Sequence, residues 1–240
     1  MQRSCSSNLS IRFVGAIGML VSIITTTYNR AHYIPRLIEC YNQQDYLFER
    51  EWIILDDGTE KVAHLFSSVE TARYLSIETK LPMGAKLNLL NKEAKGDIII
   101  VMDDDDYYPP WRISQVVKAF QENPSIELAG SSKVYMYSTD LQTIYCAGPY
   151  HSHHALNCTL AYRRSYLEKH AYDDNEICAV EKVFLDNFSK PIIQLETTIL
   201  HMIHSSNTYK NKMGIGLMKK TDLTLQDFID DSDLCSAFSK

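Results

Sequence analysis

Several features that would place this chain quickly are missing. Its six cysteines are scattered, with no CxxC pair, so neither a zinc site nor a disulfide framework is indicated. Reduced thiols in a cytosolic protein are the preferred reading. There is no basic excess. A net charge of −6 argues against a nucleic-acid binder, which wants a basic surface for the phosphate backbone. The apolar stretch IRFVGAIGMLVSII, residues 11–24, is too short to span a bilayer. No internal repeat, low-complexity segment or clear linker interrupts the chain. The segment TTTYNRAHY after the first apolar run has no glycine, which excludes a glycine-rich phosphate loop there.

What remains is an ordinary globular composition. At 240 residues, with 45% hydrophobic and 22% charged, one large domain with a sizeable core is affordable. Residues 11–24 follow Arg3, so a signal peptide is one reading. However, Val21–Thr25 is needed as a first core strand, and no small-residue cleavage site follows cleanly. Residues 1–20 are therefore expected to form a leader, 21–220 a single domain and 221–240 a C-terminal helix or tail.

Within the domain the pattern alternates. Val21–Thr26 is a β-branched run and reads as a strand. Ile34, Leu37, Ile38 and Tyr41 repeat as one face of a helix, with Pro35 in its first turn. Glu51–Leu55 is a second strand, ended by Asp56-Asp57-Gly58. Arg73–Ile77 is a third. Leu87, Leu90 and Ala94 space as a helix ending at Gly96. Asp97–Met102 is a strand apolar on both faces. Pro109 and Pro110 open a helix carrying Ile113, Val116, Val117 and Phe120. Such alternation predicts a mostly parallel α/β sheet flanked by helices, with ligands beyond the strands' carboxyl ends. Thr27–Arg30, Asp56–Gly58 and Asp103–Asp106 all fall there. Further on, Ile126–Tyr137, Thr143–Cys146 and Thr159–Tyr162 read as strands. Val180–Phe188 reads as a helix, Pro191–His204 as extended, and Thr221 onward as a polar helix or tail with Leu225, Phe228 and Ile229.

The decade VMDDDDYYPP, residues 101–110, carries the chemistry. On a strand, Asp103 and Asp105 face one side, and Asp104 and Asp106 the other. Each close pair of carboxylates costs on the order of 1 kcal/mol even in water. Mg²⁺ or Mn²⁺ removes that cost, taking one or two carboxylates and filling the rest with water and phosphate. A metal–diphosphate site is one reading; a solvated acidic turn is the other.

Together VSIITTTYNR, ILDDGTE and GAKLNLLNKEAKGDIIIVMDDDDYYPPWR resemble a family 2 glycosyltransferase of the GT-A fold, from about Val21 to about Asn211. The resemblance implies a nucleotide-binding half (21–110) and an acceptor half (111–220). It implies that Thr27 and Tyr28 flank a uracil and that Asp56 accepts its ring N–H. Lys86 and Asn88 match a G-x-(K/R)-x-N stretch near the phosphates. Asp103 and Asp105 form the D-x-D pair, with Asp105 on the metal and Asp103 or Asp104 on the ribose or a metal water. His204 matches a late histidine that completes the metal shell or touches phosphate. Glu181 matches the base of an inverting transfer, although Lys182 stands where aspartate is common; Asp173, Asp174 and Glu176 are nearby acids. His151, His153 and His154 lack a carboxylate partner and read as surface histidines. Cys158 reads as a buried, inert thiol.

The implied donor is a nucleoside diphosphate sugar, UDP-linked, with Mn²⁺ or Mg²⁺. The acceptor is a glycan, protein or lipid. A cytoplasmic location follows, with no membrane span and with peripheral membrane association left open. Two other readings stay open. A sugar-nucleotidyltransferase would release pyrophosphate. A non-catalytic nucleotide-sugar binding module would explain Lys182.

Overall fold

The structure is a computed structural model that describes residues 18–196, 199–207 and 218–239. Residues 1–17 of the expected leader, and residues 197–198 and 208–217 of the second half, lie outside the described residues.

The first half alternates as its periodicity predicts. The order is β1 (Val21–Thr27), α1 (Ile34–Asn42), β2 (Arg50–Asp56), β3 (Ala72–Ser76), α2 (Met83–Glu93), β4 (Ile98–Val101) and α3 (Arg112–Glu122). After these come β5 (Leu128–Gly130), β6 (Val134–Ser138), β7 (Thr143–Ala147), β8 (Ala161–Arg163), α4 (Glu181–Phe184), β9 (Ile193–Gln194), β10 (Leu200–Ile203), β11 (Lys219–Lys220) and α5 (Ser232–Phe238). A seven-stranded sheet runs β3-β2-β1-β4-β8-β5-β9, and a four-stranded sheet runs β10-β6-β7-β11. In the larger sheet β8 is antiparallel to both its neighbours and the other pairings are parallel. This is the mostly parallel α/β architecture of the GT-A fold.

Side-chain alternation along each strand explains why its apolar runs are continuous. Ile98 and Ile100 enter one core with α1, α3 and α5, while Ile99 and Val101 enter the other with α2 and α4. Ile23 and Ile24 divide the same way, as do Ile54 and Ile53. On the first face Trp52 stacks on Tyr41 at 4.4 Å, and its indole N–H donates to Thr25 Oγ1 at 2.9 Å. Thr25 Oγ1 donates onward to the Met102 carbonyl at 2.7 Å. The strand that precedes the aspartates is therefore pinned to β1 by a buried hydroxyl as well as by its ladder. Register aligns Thr27 with Asp56 and Ile24 with Val101, which brings the carboxyl ends of β1, β2 and β4 to one edge.

Four local expectations change. Helix α2 stops at Glu93, and Ala94 is already extended. Gly96 serves close approach instead: a Cβ there would lie 2.5 Å from the Ser22 amide nitrogen, and Gly96 N–H donates to Ser22 Oγ at 2.8 Å. The expected strand Ile126–Tyr137 is two strands in different sheets. It breaks where Ser131 Oγ closes a tight turn onto the Lys133 backbone, donating to its carbonyl and accepting from its N–H. The expected helix Val180–Phe188 has one turn. Ala179 before it and Asp186, Asn187 and Phe188 after it all have positive φ, which a right-handed helix cannot contain. Finally, the segment after Thr221 packs on the core. Leu225, Phe228, Ile229, Leu234 and Phe238 are buried, and Asp231 caps α5 by accepting from the Asp233 and Leu234 amides.

Ile100 lies at the centre of this arrangement and is wholly buried. Ile100→Ala should cost about 2–5 kcal/mol of unfolding free energy, as large-to-small core changes do. Urea denaturation of the variant against the parent measures it.

Candidate functional site

The three polar clusters at the strand ends converge as their placement predicts. Asn29 has φ of 53°, and its Oδ1 accepts from the amides of Thr59 and Glu60. That stitches the first cluster to the second. Gly58 is needed at this seam, since a Cβ would fall 2.6 Å from the Asn29 nitrogen. Arg30 stitches the first cluster to the third. Its Nη1 lies 2.6 Å from Asp104 Oδ1 and 2.7 Å from Asp105 Oδ2, and Nη2 donates to the Ser206 carbonyl at 3.0 Å.

The four aspartates do not alternate as strand residues would. Strand β4 ends at Val101, the chain bends, and a single guanidinium touches two successive carboxylates. Tyr107 then pairs with Leu200 on the second sheet. Each carboxylate meets a different environment. Asp103 is half-buried, and its carboxyl is pushed well up by burial and by Asp106 and Asp105. Asp104 is pushed up to about 6 by burial and by Asp105, against the pull of Arg30. Thr27 Oγ1 lies near enough to favour the charged form of Asp104, but among the described residues neither that hydroxyl nor Asp104 Oδ2 completes a hydrogen bond. For Asp105, burial raises and the His204 hydrogen bond and Arg30 lower; the balance is below the usual carboxylate range. Asp105 Oδ2 accepts from His204 Nε2 at 3.0 Å and Asn207 Nδ2 at 3.3 Å, besides Arg30. Asp106 turns away, accepting the Met202 N–H at 2.9 Å and pairing with His201 Nδ1 at 2.9 Å.

Other expected residues have partners of their own. Asp56 is fully buried in its turn, accepting from the Gly58 and Val62 amides and the Tyr74 hydroxyl. Asp57 pairs with Lys86 at 3.1 Å, both buried, and holds the Leu81 amide at 2.8 Å. Tyr28 lies half-buried beside this loop, with Lys80 Nζ 3.9 Å from its ring centroid. Asn88 brackets a distant loop, donating to the Tyr172 carbonyl and Asp174 and accepting the Tyr172 amide. That loop presses so closely on α2 that a Cβ on Gly84 would meet the Asp173 carbonyl oxygen at 1.8 Å. His151 and His153 are exposed, whereas His154 is half-buried and stacks on Phe188 at 4.8 Å.

Glu181 opens α4 and is raised above the usual carboxylate range by burial; no cation pairs with it among the described residues. Its place relative to the aspartates shows at Cys158. That buried thiol is pushed well up by burial, then by Asp106, Asp103 and Glu181, so carboxylates from two segments act on one thiol. Two sets could hold a cation. Asp105 and His204 present adjacent oxygen and nitrogen atoms, and Asp104 has a buried oxygen without a partner among the described residues. Hard oxygen donors with one imidazole suit Mn²⁺ or Mg²⁺ completed by water and phosphate. Asp106, Cys158 and His201 also offer atoms within 4.8 Å of one another. The residues missed from sequence are Arg30, Asp57, Asn207 and His201. Arg30 and Asp57 carried a signal, since they belong to the TYNR and DDG clusters at the strand ends.

Residues 22–171 match the family described as Glycosyl transferase family 2. The chain belongs to that family. Among curated family relatives, an uncharacterized glycosyltransferase, YwdF of Bacillus subtilis, is 29% identical over 52% of this chain and 52% of its own length. An uncharacterized glycosyltransferase of Haemophilus influenzae is 32% identical over 45% of this chain and 36% of its own. The chain thus spans about half the length, or less, of these curated relatives. Among solved structures, S. aureus TarS 1–349 in complex with UDP-GlcNAc superposes with a TM-score of 0.61 at 17% identity, covering 79% of this chain and 60% of that one. The mannosyltransferase PcManGT of Pyrobaculum calidifontis, in complex with GDP-Man and Mn²⁺, gives 0.58 at 14%, covering 76% and 56%. These likenesses show the fold. The family match ends before Glu181. No helix among the described residues is long and apolar enough to cross a membrane.

The Asp106–His201 pair yields a pH prediction. Burial alone would lower the imidazole, but Asp106 holds it at about 9, above its ordinary 6.5. A folded value above the unfolded one gives stability that is full below about pH 6.5 and lost as the pH rises through about 9. The difference in melting temperature between the parent and His201→Gln should therefore shrink across that window. A pH series of thermal melts reads it.

Proposed function

We propose that the chain is an inverting, metal-dependent glycosyltransferase moving a hexose-type sugar from a nucleoside diphosphate sugar, UDP-linked, to an acceptor hydroxyl. The observation that carries this is the Asp104–Asp105 pair. It lies at the meeting point of three strand ends, within reach of one guanidinium and one imidazole. Thr27 and Tyr28 line the base side, and the Asp56 turn sets the depth of that pocket. Asp56 already accepts three hydrogen bonds, and a carboxylate has about four acceptor sites, so one remains for a ring N–H. Lys86, ion-paired to Asp57, adds a buried positive charge behind the phosphates, and Asn88 fixes the loop that flanks them.

Asp105 and His204 would hold Mn²⁺ or Mg²⁺, with Asp103 toward a metal water or the ribose. When bound, the ion neutralises charge on the departing diphosphate. Glu181 takes the proton from the acceptor hydroxyl. The acceptor oxygen then bonds to C1 from the face opposite the leaving group, as the bond from C1 to the diphosphate oxygen breaks. An uncompensated, part-buried carboxylate suits that role, because burial brings its pKa toward the working pH. The acceptor is a glycan, protein or lipid hydroxyl, and Trp111, exposed at the start of α3, is available to a sugar face.

Two variants test the parts separately. UDP with Mn²⁺ should raise the melting temperature of the parent, by mass action. Asp105→Ala should lose the Mn²⁺-dependent part of that rise and reduce transfer on the order of 10²–10³-fold. Unimpaired, metal-responsive turnover in that variant would sink the metal assignment.

Glu181→Gln should keep UDP binding and lose about 10²–10⁴-fold in turnover. In the parent, the rate should fall as pH drops through a value above the ordinary glutamate range. That limb should be missing in the variant. Assay of released nucleoside diphosphate reports both, and pyrophosphate in its place would favour the nucleotidyltransferase reading.

A further inference from the structure

Asp105 Oδ2 is oversubscribed. Three donors converge on it: Arg30 at 2.7 Å, His204 at 3.0 Å and Asn207 at 3.3 Å. A single carboxylate oxygen has about two acceptor sites. A cation that coordinates this oxygen must therefore displace a donor. Asn207 is neutral and held elsewhere by the Met202 carbonyl. His204 can turn its lone pair to a metal and stay. Arg30 can do neither, because its guanidinium is always charged, has no acceptor atom and is repelled by the arriving cation.

Arg30 is also placed to leave. Its side chain retains 14% exposure beside almost wholly buried carboxylates, and among the described residues its guanidinium otherwise holds only the Ser206 carbonyl. Among the described residues Asp104 Oδ2 stays unpaired even with Arg30 in place, so one guanidinium does not satisfy the site. The planar fork matches a phosphate as well as it matches two carboxylate oxygens.

We propose that Arg30 is an exchangeable counter-ion: it neutralises Asp104 and Asp105 in the metal-free chain and, once a divalent cation takes Asp105, moves its fork to the donor's diphosphate. This rests on the donor-site reading above. The exchange makes metal and donor binding depend on each other. Metal alone must displace Arg30 without compensation. Metal with a diphosphate gives the displaced guanidinium a new anion. Binding of Mn²⁺ should therefore be weak alone and tight with UDP.

The test titrates Mn²⁺ alone into the full chain, with free ion followed by electron paramagnetic resonance, for the parent, Arg30→Met and Arg30→Lys. UDP affinity is then measured calorimetrically at saturating Mn²⁺. Arg30→Met should bind Mn²⁺ roughly tenfold tighter without nucleotide, and UDP roughly tenfold more weakly with it, about the worth of one charge-assisted contact. Arg30→Lys should fall between on both, because it keeps the charge and loses the fork. A purely structural arginine would weaken both affinities or neither, and either result overturns the exchange. Should the Met variant fail to fold, Arg30→Lys decides: UDP affinity equal to the parent's overturns the proposal. A parent that binds UDP while the Met variant leaves Mn²⁺ affinity unchanged overturns the exchange alone. A parent that takes no UDP at any Mn²⁺ concentration overturns the donor-site reading, and the exchange with it.

Discussion

Four adjacent carboxylates at the end of a buried strand repel one another, and much of the surrounding structure exists to hold them. Water cannot screen them, because Asp104, Asp105 and Asp106 are almost wholly enclosed. Each therefore needs a partner from protein. Asp104 and Asp105 share Arg30 from the loop after β1. Asp105 adds His204 and Asn207 from beyond β10, and Asp106 takes His201 and the Met202 amide from β10 itself. The partners are 74 to 102 residues away in sequence. The acid motif thus joins the two sheets: breaking its charge balance would loosen the seam between them as well as the chemistry.

The two ends of the motif are solved differently, and the difference separates scaffold from site. Asp106 meets a backbone amide and an imidazole that its own charge keeps protonated, a closed arrangement built into a strand. Asp104 and Asp105 meet a long, partly exposed arginine and a histidine, with one carboxylate oxygen left over among the described residues. Buried ion pairs contribute little net stability after desolvation, but removing one partner is costly. A partner that can be replaced by another cation escapes that cost. That asymmetry is why the functional reading centres on Asp104 and Asp105 and the structural one on Asp106.

Local chemistry was legible in the sequence wherever it was sufficient. The splitting of IIIV between two cores follows from period-2 geometry, and the convergence of the three clusters follows from parallel strands having their carboxyl ends on one edge. What was hidden depended on distant partners. The cluster that Arg30 ends was expected beside Asp103–Asp106, but nothing near it singles out Asp104 and Asp105 as its counter-charges. Nothing in DDG says which aspartate is sealed by its own turn and which pairs with Lys86. The apolar pattern of AVEKVFLDNF is helical, yet positive φ at Ala179 and Asp186–Phe188 confines it to one turn. Even the alternation expected along Asp103–Asp106 fails for a non-local reason, since the chain leaves β4 after Val101 to reach Leu200.

The same geometry bears on the proposed base, Glu181. A carboxylate that accepts protons must avoid the cations that neutralise the others, or its affinity for a proton is lost. Arg30, His201 and His204 all sit with Asp104–Asp106, and Glu181 reaches the same neighbourhood from α4 without one of them. Burial raises it, and it shares with Asp106 and Asp103 an influence on the Cys158 thiol, which burial first and these carboxylates next keep protonated. Lys182, one residue on, is exposed and does not compensate it. An aspartate at that position would have added a second negative charge beside Glu181. A lysine turned to solvent leaves the basicity of Glu181 to burial alone, so Lys182 does not by itself argue against catalysis.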